Sequence, residues 1–500
     1  MKEKLKKFDF ATFGIIALIT TLLCSAFLQM HYSSDTFVLL DLGYMDYPSK
    51  YFLLDGRIIS TIVCLTAGIL KIPYRAYIIG MDVIAIFFVC VSIYITYKTI
   101  SRIIEIDSIL KKALILMSSF VLILNQFSLE YLLFPESAVM CLGELLCVIA
   151  ASLVISKTKY KYLKISILLF FAVFCYQGLL NIFPILSIVF IFLEQMIKDN
   201  TLKKNTISFI KEIIILAIIC LVLLVINIIA IKIGCKILND SSYRSIKLTD
   251  LESVLLRLKI IKNYLDQIWN YSLNMIPKHI NSIIVLITLI LLFISKAKKE
   301  TILKYIFTIL VILIVCIVPM FFLNTGPCGR VNVPIGEVLG ISLLFLLTNI
   351  ENKPVKKWIQ NTIYVIIFLT FILNSIMIIR NSNEHIAANK VDENMGASIK
   401  YMLERYEKQT GITVTKFSYV YDPDPQQYAP GIRHLGSLTE RKLACSWCIS
   451  YAMNYYCDRK FEKVRMPIKI YTEKFTRKNY TEFSEEQVVF DNDTMYLYIY

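Results

Sequence analysis

Charge is scarce in this chain. Asp, Glu, Lys and Arg make up 18% of its 500 residues, hydrophobic residues 57%, and the mean hydropathy is +0.62. That balance lies outside the range of soluble globular domains. Nucleotide-binding signatures are missing too: there is no Walker loop and no Rossmann fingerprint, and no Ser/His/Asp order stands out. Histidine occurs only four times (His31, His279, His385, His434). Cys445-Ser-Trp-Cys448 with Cys457 lacks the second pair or nearby histidine that would complete a zinc site. No internal repeat or low-complexity tract stands out, which weighs against a repeat-built transporter.

What is present is grease. Several apolar runs exceed the roughly 18 residues of a spanning candidate, so the fold class is a polytopic α-helical membrane protein. The net charge of +15 could suggest nucleic acid, but basic and acidic residues balance from Asn381 to the end. The excess therefore lies in the membrane part, where it reads as positive-inside loops rather than a basic groove. No nucleic-acid partner is expected. Most of the thirteen cysteines fall inside apolar runs, where a free thiol behaves as a small hydrophobe. Cys445, Cys448 and Cys457 fall in soluble sequence, and a disulfide is expected there with one thiol left over.

Lys2, Lys4, Lys6 and Lys7 precede an apolar run to about residue 30, too long for a signal-peptide core and without a cleavage site. We read an uncleaved anchor with a cytoplasmic N-terminus, and a multi-pass protein of the plasma membrane. Residues 58–70 are apolar but short, about 20 Å of helix against a ~30 Å core. If that segment lies along the interface, the basic loops at 102–112, 157–164, 198–211, 296–304 and 353–357 all fall on the cytoplasmic side. Further spans are expected near 74–100, 113–127, 134–155, 165–177, 181–196, 213–233, 280–295, 302–323, 334–348 and 358–379. With the first, that makes about eleven, give or take two. The sequence thus divides into a transmembrane domain, 1–380, and a C-terminal extracytoplasmic domain, 381–500, of α/β or α+β type. The membrane part includes a first outer loop at 31–73 with interfacial helices, and an amphipathic outer loop at 234–278. In the C-terminal domain a helix is expected at 397–407, then a strand-like 411–421, an Asp422-Pro-Asp-Pro425 turn and an alternating end at 495–500.

The outer loops carry the candidate chemistry. His31-Tyr-Ser-Ser-Asp35 opens a run holding Asp41, Asp46 and Asp55. Asp35 reads equally as a helix cap or as an interfacial carboxylate able to take a proton from an acceptor hydroxyl. Asp55-Gly-Arg57 reads as a turn with a snorkelling arginine, or as an acid helper beside a phosphate ligand. Glu130 and Glu136 sit in the second outer loop, where Glu136 suits a helix start after Pro135. Glu144, deeper in an apolar run, is an intramembrane acid in need of a partner. Tyr176-Gln177, at a helix break, offer sugar-hydroxyl ligands or satisfy freed backbone groups. Asn324-Thr-Gly-Pro-Cys-Gly-Arg330 suits a loop whose backbone approaches an anion, with Arg330 as a bidentate phosphate donor, or a tight turn with an interfacial arginine.

Ser33-Ser-Asp35, Asp55-Gly-Arg57-Ile-Ile-Ser60 and Gly68-Ile-Leu-Lys-Ile-Pro-Tyr-Arg75 together resemble the GT-C superfamily of integral-membrane glycosyltransferases, over roughly residues 10–380. Within it, the pattern is most similar to bacterial glucosyltransferases that modify O-antigen-type polymers. The resemblance implies a polyprenyl-phosphate-linked sugar as donor, a cell-envelope glycan as acceptor, and inversion at the anomeric carbon. On that reading Asp35, Asp55, Glu130 and Glu136 are the catalytic candidates. Arg57, Gln177, Arg330 and Tyr176 are the substrate and lipid-phosphate ligands. Many relatives have paired acids where this chain has Ser34-Asp35, which leaves a divalent metal there open; no metal ligands are assigned. Two other readings are a flippase or transporter of envelope precursors and a polysaccharide polymerase. The first should carry midplane charges and repeat symmetry, the second more outer-loop arginines than this chain has.

Overall fold

The computed structural model describes residues 8–198, 202–240, 251–322, 328–352, 355–421, 429–476, 480 and 482–499. The N-terminal lysines, the 324–327 part of the glycine-proline loop and the 422–425 turn lie outside the described residues.

The chain opens with α1 (Phe10–Leu23), whose N-terminus is capped by Asp9 accepting from the Thr12 amide. Two pieces follow that do not continue the bundle: α2 (Ser34–Tyr51), broken at Gly43, and α3 (Ile58–Ile69). The bundle resumes with α4 (Tyr74–Ile103), α5 (Ile109–Ile123), α6 (Ser137–Val154), α7 (Lys161–Cys175), α8 (Ile182–Ile197) and α9 (Leu202–Leu238). Then come α10 (Leu251–Leu265), α11 (Ile280–Ile294), α12 (Lys299–Phe322), α13 (Val333–Asn352) and α14 (Lys357–Thr410). Each of the eleven segments expected to span falls on a helix. Among the described residues seven helices (α4, α6, α8 with its preceding turn, α9, α12, α13 and α14) are long and apolar enough to cross a bilayer. The other four, α1, α5, α7 and α11, have 14 or 15 residues.

The centre of the bundle is α13, buried from Val333 to Ile350 and packed on α5, α8, α11, α12 and α14. By contrast α9 turns Ile214, Ile218, Leu221, Val225 and Ile229 outward, as a lipid-facing helix must. Ion pairs tie the basic loops to one another at one end. Lys112 pairs with Asp9 at 3.0 Å, Lys111 with Glu351 at 2.7 Å, and Lys161 with Glu212 at 2.7 Å. The amphipathic α10 packs on α12, where its buried Arg257 donates from Nε to the Met320 carbonyl at 2.8 Å.

The C-terminal lobe differs from expectation in two respects. The expected span at 358–379 and the expected helix at 397–407 are one helix. α14 runs 54 residues to a left-handed Gly411, about 80 Å at 1.5 Å per residue, because no proline interrupts it. Gly396 is its one interior glycine and it meets a ring: an added Cβ would lie 2.4 Å from Tyr456. Secondly, Cys445, Cys448 and Cys457 are free, buried thiols rather than a disulfide and a remainder. Cys445 and Cys448 share one turn, and Cys448 Sγ donates to the Ser34 carbonyl at 3.6 Å.

The lobe is α+β. β1 (Lys416–Tyr421), β2 (Glu462–Lys463), β3 (Val488–Asp491) and β4 (Thr494–Ile499) form a sheet in the order β2-β1-β4-β3. β1 is parallel to β2 and β4, and β3–β4 is an antiparallel hairpin. The last turns of α14 and the helix α15 (Ile449–Tyr456) cover the sheet, with Met395, Ile399, Leu403, Ile449 and Met453 in its core. Tyr32 and Phe37, from either side of Asp35, enter that same core. The lobe is therefore packed directly on the loop that carries the candidate base.

Candidate active site

Asp35 is not the cap. Ser33 takes that role: its hydroxyl accepts from the Thr36 amide at 3.1 Å, and the Thr36 hydroxyl accepts from the Ser33 amide at 3.0 Å, a reciprocal capping box. Asp35 is thereby left in the first turn of α2, half-buried, where the helix dipole favours a carboxylate. It lines a cavity of about 420 Å³ between the first loop, the Leu133–Phe134 turn, Arg330 and the C-terminal lobe.

Arg57 enters this cavity through a tight reversal. Gly56 takes a left-handed conformation (φ +72) with the Asn227 amide on its carbonyl at 3.3 Å, and an added Cβ would sit 2.8 Å from that amide. The Arg57 guanidinium donates to Glu136 at 2.9 Å, lies 3.5 Å from Asp55 and rests 4.8 Å above the Tyr176 ring. Gln177 donates to the Asp55 carbonyl at 2.9 Å and so fixes the turn from the far side. Burial pushes the Glu136 carboxyl up to about 7, against the pull of Arg57.

Arg330 is held in a similar way. Its amide donates to Glu130 at 3.1 Å, its guanidinium approaches the same oxygen at 3.4 Å, and it lies 4.6 Å from the Phe134 ring. The Tyr131 hydroxyl donates to the Arg330 carbonyl at 3.1 Å. Each arginine thus has an aromatic face on one side and a carboxylate on the other, an arrangement that fixes a planar fork.

All eight residues singled out from the sequence gather here. Asp35, Asp55, Arg57 and Arg330 line the cavity. Glu130, Glu136, Tyr176 and Gln177 stand behind them as partners of the arginines or of the turn. Asp46 is exposed, and Asp41 accepts from Asn454 at 2.9 Å. Glu144 is buried in α6, away from the cavity walls. Among the described residues no group of three or more His, Cys, Asp or Glu side chains surrounds a common point.

Two features escape a reading of the sequence. The lobe supplies Ser437, Glu440, Lys442 and Trp447 to the cavity wall. Beneath the site runs a buried polar chain. The Leu438 carbonyl lies 2.7 Å from His385 Nδ1, His385 Nε2 lies 3.1 Å from His31 Nδ1, and His31 Nε2 lies 3.0 Å from Asp82; Ser137 donates to Asp82 at 2.8 Å. Burial, with His31 and Lys442 nearby, holds His385 well below the usual histidine range and hence neutral. A neutral His385 must donate from Nδ1 to the carbonyl and accept at Nε2 from His31. The chain joins the lobe through α14 and α4 to Ser137, beside Glu136. That two of only four histidines flank the soluble segments was the sole signal.

An apolar helix bundle with an acid and two clamped arginines lining a cavity at one end defines a membrane protein with a polar, enzyme-like site. The family model for Glucosyl transferase GtrII matches residues 24–325, about three-fifths of the chain, and the chain belongs to that family. It is a membrane glycosyltransferase, and the resemblance read from the sequence is borne out. Among curated proteins none matches the chain. The matched stretch includes Asp35, Asp55, Arg57, Glu130, Glu136, Tyr176 and Gln177, and stops before Arg330 and the lobe.

Proposed function

We propose that this protein moves a glucosyl unit from a polyprenyl-phosphate donor to a glycan of the cell envelope, on the extracytoplasmic face of the plasma membrane and with inversion. The observation that carries the reading is one cavity in which Asp35 shares the walls with Arg57 and Arg330. Asp35 is the general base. It takes the proton of an acceptor hydroxyl as that oxygen attacks the anomeric carbon, and the bond from that carbon to the phosphate oxygen breaks in the same step. The electron pair leaves with the phosphate, which passes from a singly charged diester to a more highly charged monoester. Arg57 and Arg330 meet the charge that develops, so they act more strongly on the transition state than on the bound donor. Glu130 and Glu136 are positioning residues that hold the guanidinium forks, and Asp55 braces Arg57 from the cavity side. The lobe offers the acceptor a wall with Trp447 exposed for stacking on sugar.

The test is transfer by purified protein from a polyprenyl-phosphate glucose to an envelope-glycan acceptor, wild type beside Asp35→Asn. Near-complete loss of turnover is expected, with an unchanged elution profile and melting temperature. Transfer at the wild-type rate would remove Asp35 as base.

A further inference from the structure

Among the described residues three cations line the cavity, and two of them have a carboxylate partner. Arg57 pairs with Glu136 and Asp55, and Arg330 with Glu130. Lys442, contributed by the C-terminal lobe, does not. It is 2% exposed, and its ammonium donates to the Ser437 carbonyl at 3.0 Å. Among the described residues it makes no ion pair. An ammonium has three N–H groups to satisfy, so two remain to be directed elsewhere. Asp392 feels the Lys442 charge without pairing with it; a buried ammonium that no carboxylate pairs is costly, and a chain does not place one beside an open cavity by default.

The backbone around Lys442 is built to hold it there. Asp392 of α14 accepts the Lys442 amide proton at 2.6 Å, and one of its oxygens lies 3.9 Å from the buried Arg441. The Asp392 carboxylate thus answers the neighbouring Arg441 and the Lys442 backbone, while the Lys442 side chain points to Ser437, another residue of the cavity wall. Glu440 lines the same cavity without pairing with Lys442.

We propose that Lys442 is the third cation of the donor-phosphate subsite, and that the site is complete only with the C-terminal lobe in place. This rests on the glycosyl-transfer reading above. The phosphate of the donor supplies the missing counter-charge, and the ammonium adds to the arginines as charge builds on the leaving oxygen. An acidic group on the acceptor glycan would offer the same chemistry to Lys442, so the test separates the two sources.

Binding of a short-chain polyprenyl monophosphate is measured on full-length, detergent-solubilised protein, with no turnover required. Lys442→Met should weaken binding roughly 10- to 100-fold, the range for one hydrogen bond to a charged group, and Lys442→Arg should recover most of it. Unliganded Lys442→Met should melt no lower than wild type, because it loses a buried charge that no carboxylate pairs. In the transfer assay the donor KM should rise while the acceptor KM stays put. Wild-type affinity in Lys442→Met, or a rise in acceptor KM alone, overturns the assignment. So does a lowered melting temperature with lost binding that Lys442→Arg does not restore, since that marks a structural role. If wild type itself fails to bind the monophosphate, the donor reading falls, and the Lys442 inference with it. If wild type binds and Lys442→Met binds equally, only the latter fails.

Discussion

Single residues here work in opposed pairs, and Glu136 shows what that costs. Its carboxyl has an ordinary value of 4.5 and is pushed up to about 7 by burial, even with Arg57 against it. The folded chain therefore holds the proton more tightly than the unfolded chain does. Glu136 favours the fold fully below about pH 4.5, and that contribution is lost as pH rises through 7. The span corresponds to about 3 kcal/mol. Glu136→Gln keeps an oxygen for the Arg57 guanidinium but cannot ionise. We expect the melting temperature of the wild type, taken relative to Glu136→Gln, to be highest near pH 4.5 and to fall steadily until about pH 7. Scanning both proteins in detergent from pH 4 to 8 checks this; a difference that stays flat over the window rules the titration out.

The elements were more legible than their junctions. Runs of apolar sequence announced every bundle helix, and strand-like 411–421 and 495–500 became β1 and β4. Asp35, Arg57, Glu130 and Arg330 were legible too, because an acid or arginine at the edge of a greasy run is conspicuous. What sequence does not carry is adjacency across hundreds of residues. Lys442 sits in ordinary soluble sequence, and nothing local marks it as a neighbour of Ser33. The continuity of α14 was hidden for a related reason: its polar middle resembles a linker by composition, and the packing of its last turns in the lobe core is not visible in the sequence. Gly396 is a point of close packing, under the Tyr456 ring of α15. Gly396→Ala improves helix propensity by about 1 kcal/mol, yet it places a methyl where a ring already is. We expect the overpacking to win, with a net loss of about 1–3 kcal/mol and faster hydrogen exchange in α15. Tyr456→Leu in the same background should return part of the loss. A Gly396→Ala protein more stable than wild type would show that the ring moves aside freely.

For the whole molecule, the question is whether the chain crosses the bilayer between Arg57 and Lys71. The length of α3 argues that it does not: 12 residues make about 18 Å, well short of a ~30 Å hydrocarbon core. The contacts of its two ends argue the same more strongly. At its start, Arg57 reaches Glu136, which precedes α6. At its end, Ile72 accepts from the Tyr44 hydroxyl at 2.9 Å, and Tyr44 stacks on Tyr74 with ring centres 4.6 Å apart. Tyr44 belongs to α2, the helix that begins beside Asp35, so both ends of α3 return to the loop they left. Only eight residues into α4, Asp82 meets His31. The 3-10 segments at Ser128–Leu133, Gln177–Asn181 and Gly329–Val331 gather at this same end. Irregular backbone is tolerated near lipid only when protein covers it or a cavity needs it, and here it frames the arginines. The basic loops, tied together by Lys111, Lys112 and Lys161, collect residues from the other ends of the same helices. If those loops face the cytoplasm as the positive-inside bias requires, a cysteine placed at Lys71 and one placed at the exposed Asp46 label from the same, extracytoplasmic side. A cysteine at Lys164, in the first turn of α7, is shielded from that reagent until the membrane is opened. Labelling of the Lys71 position only after permeabilisation would turn α3 into a span and set Lys71 and the start of α4 on the opposite side of the bilayer from Arg57.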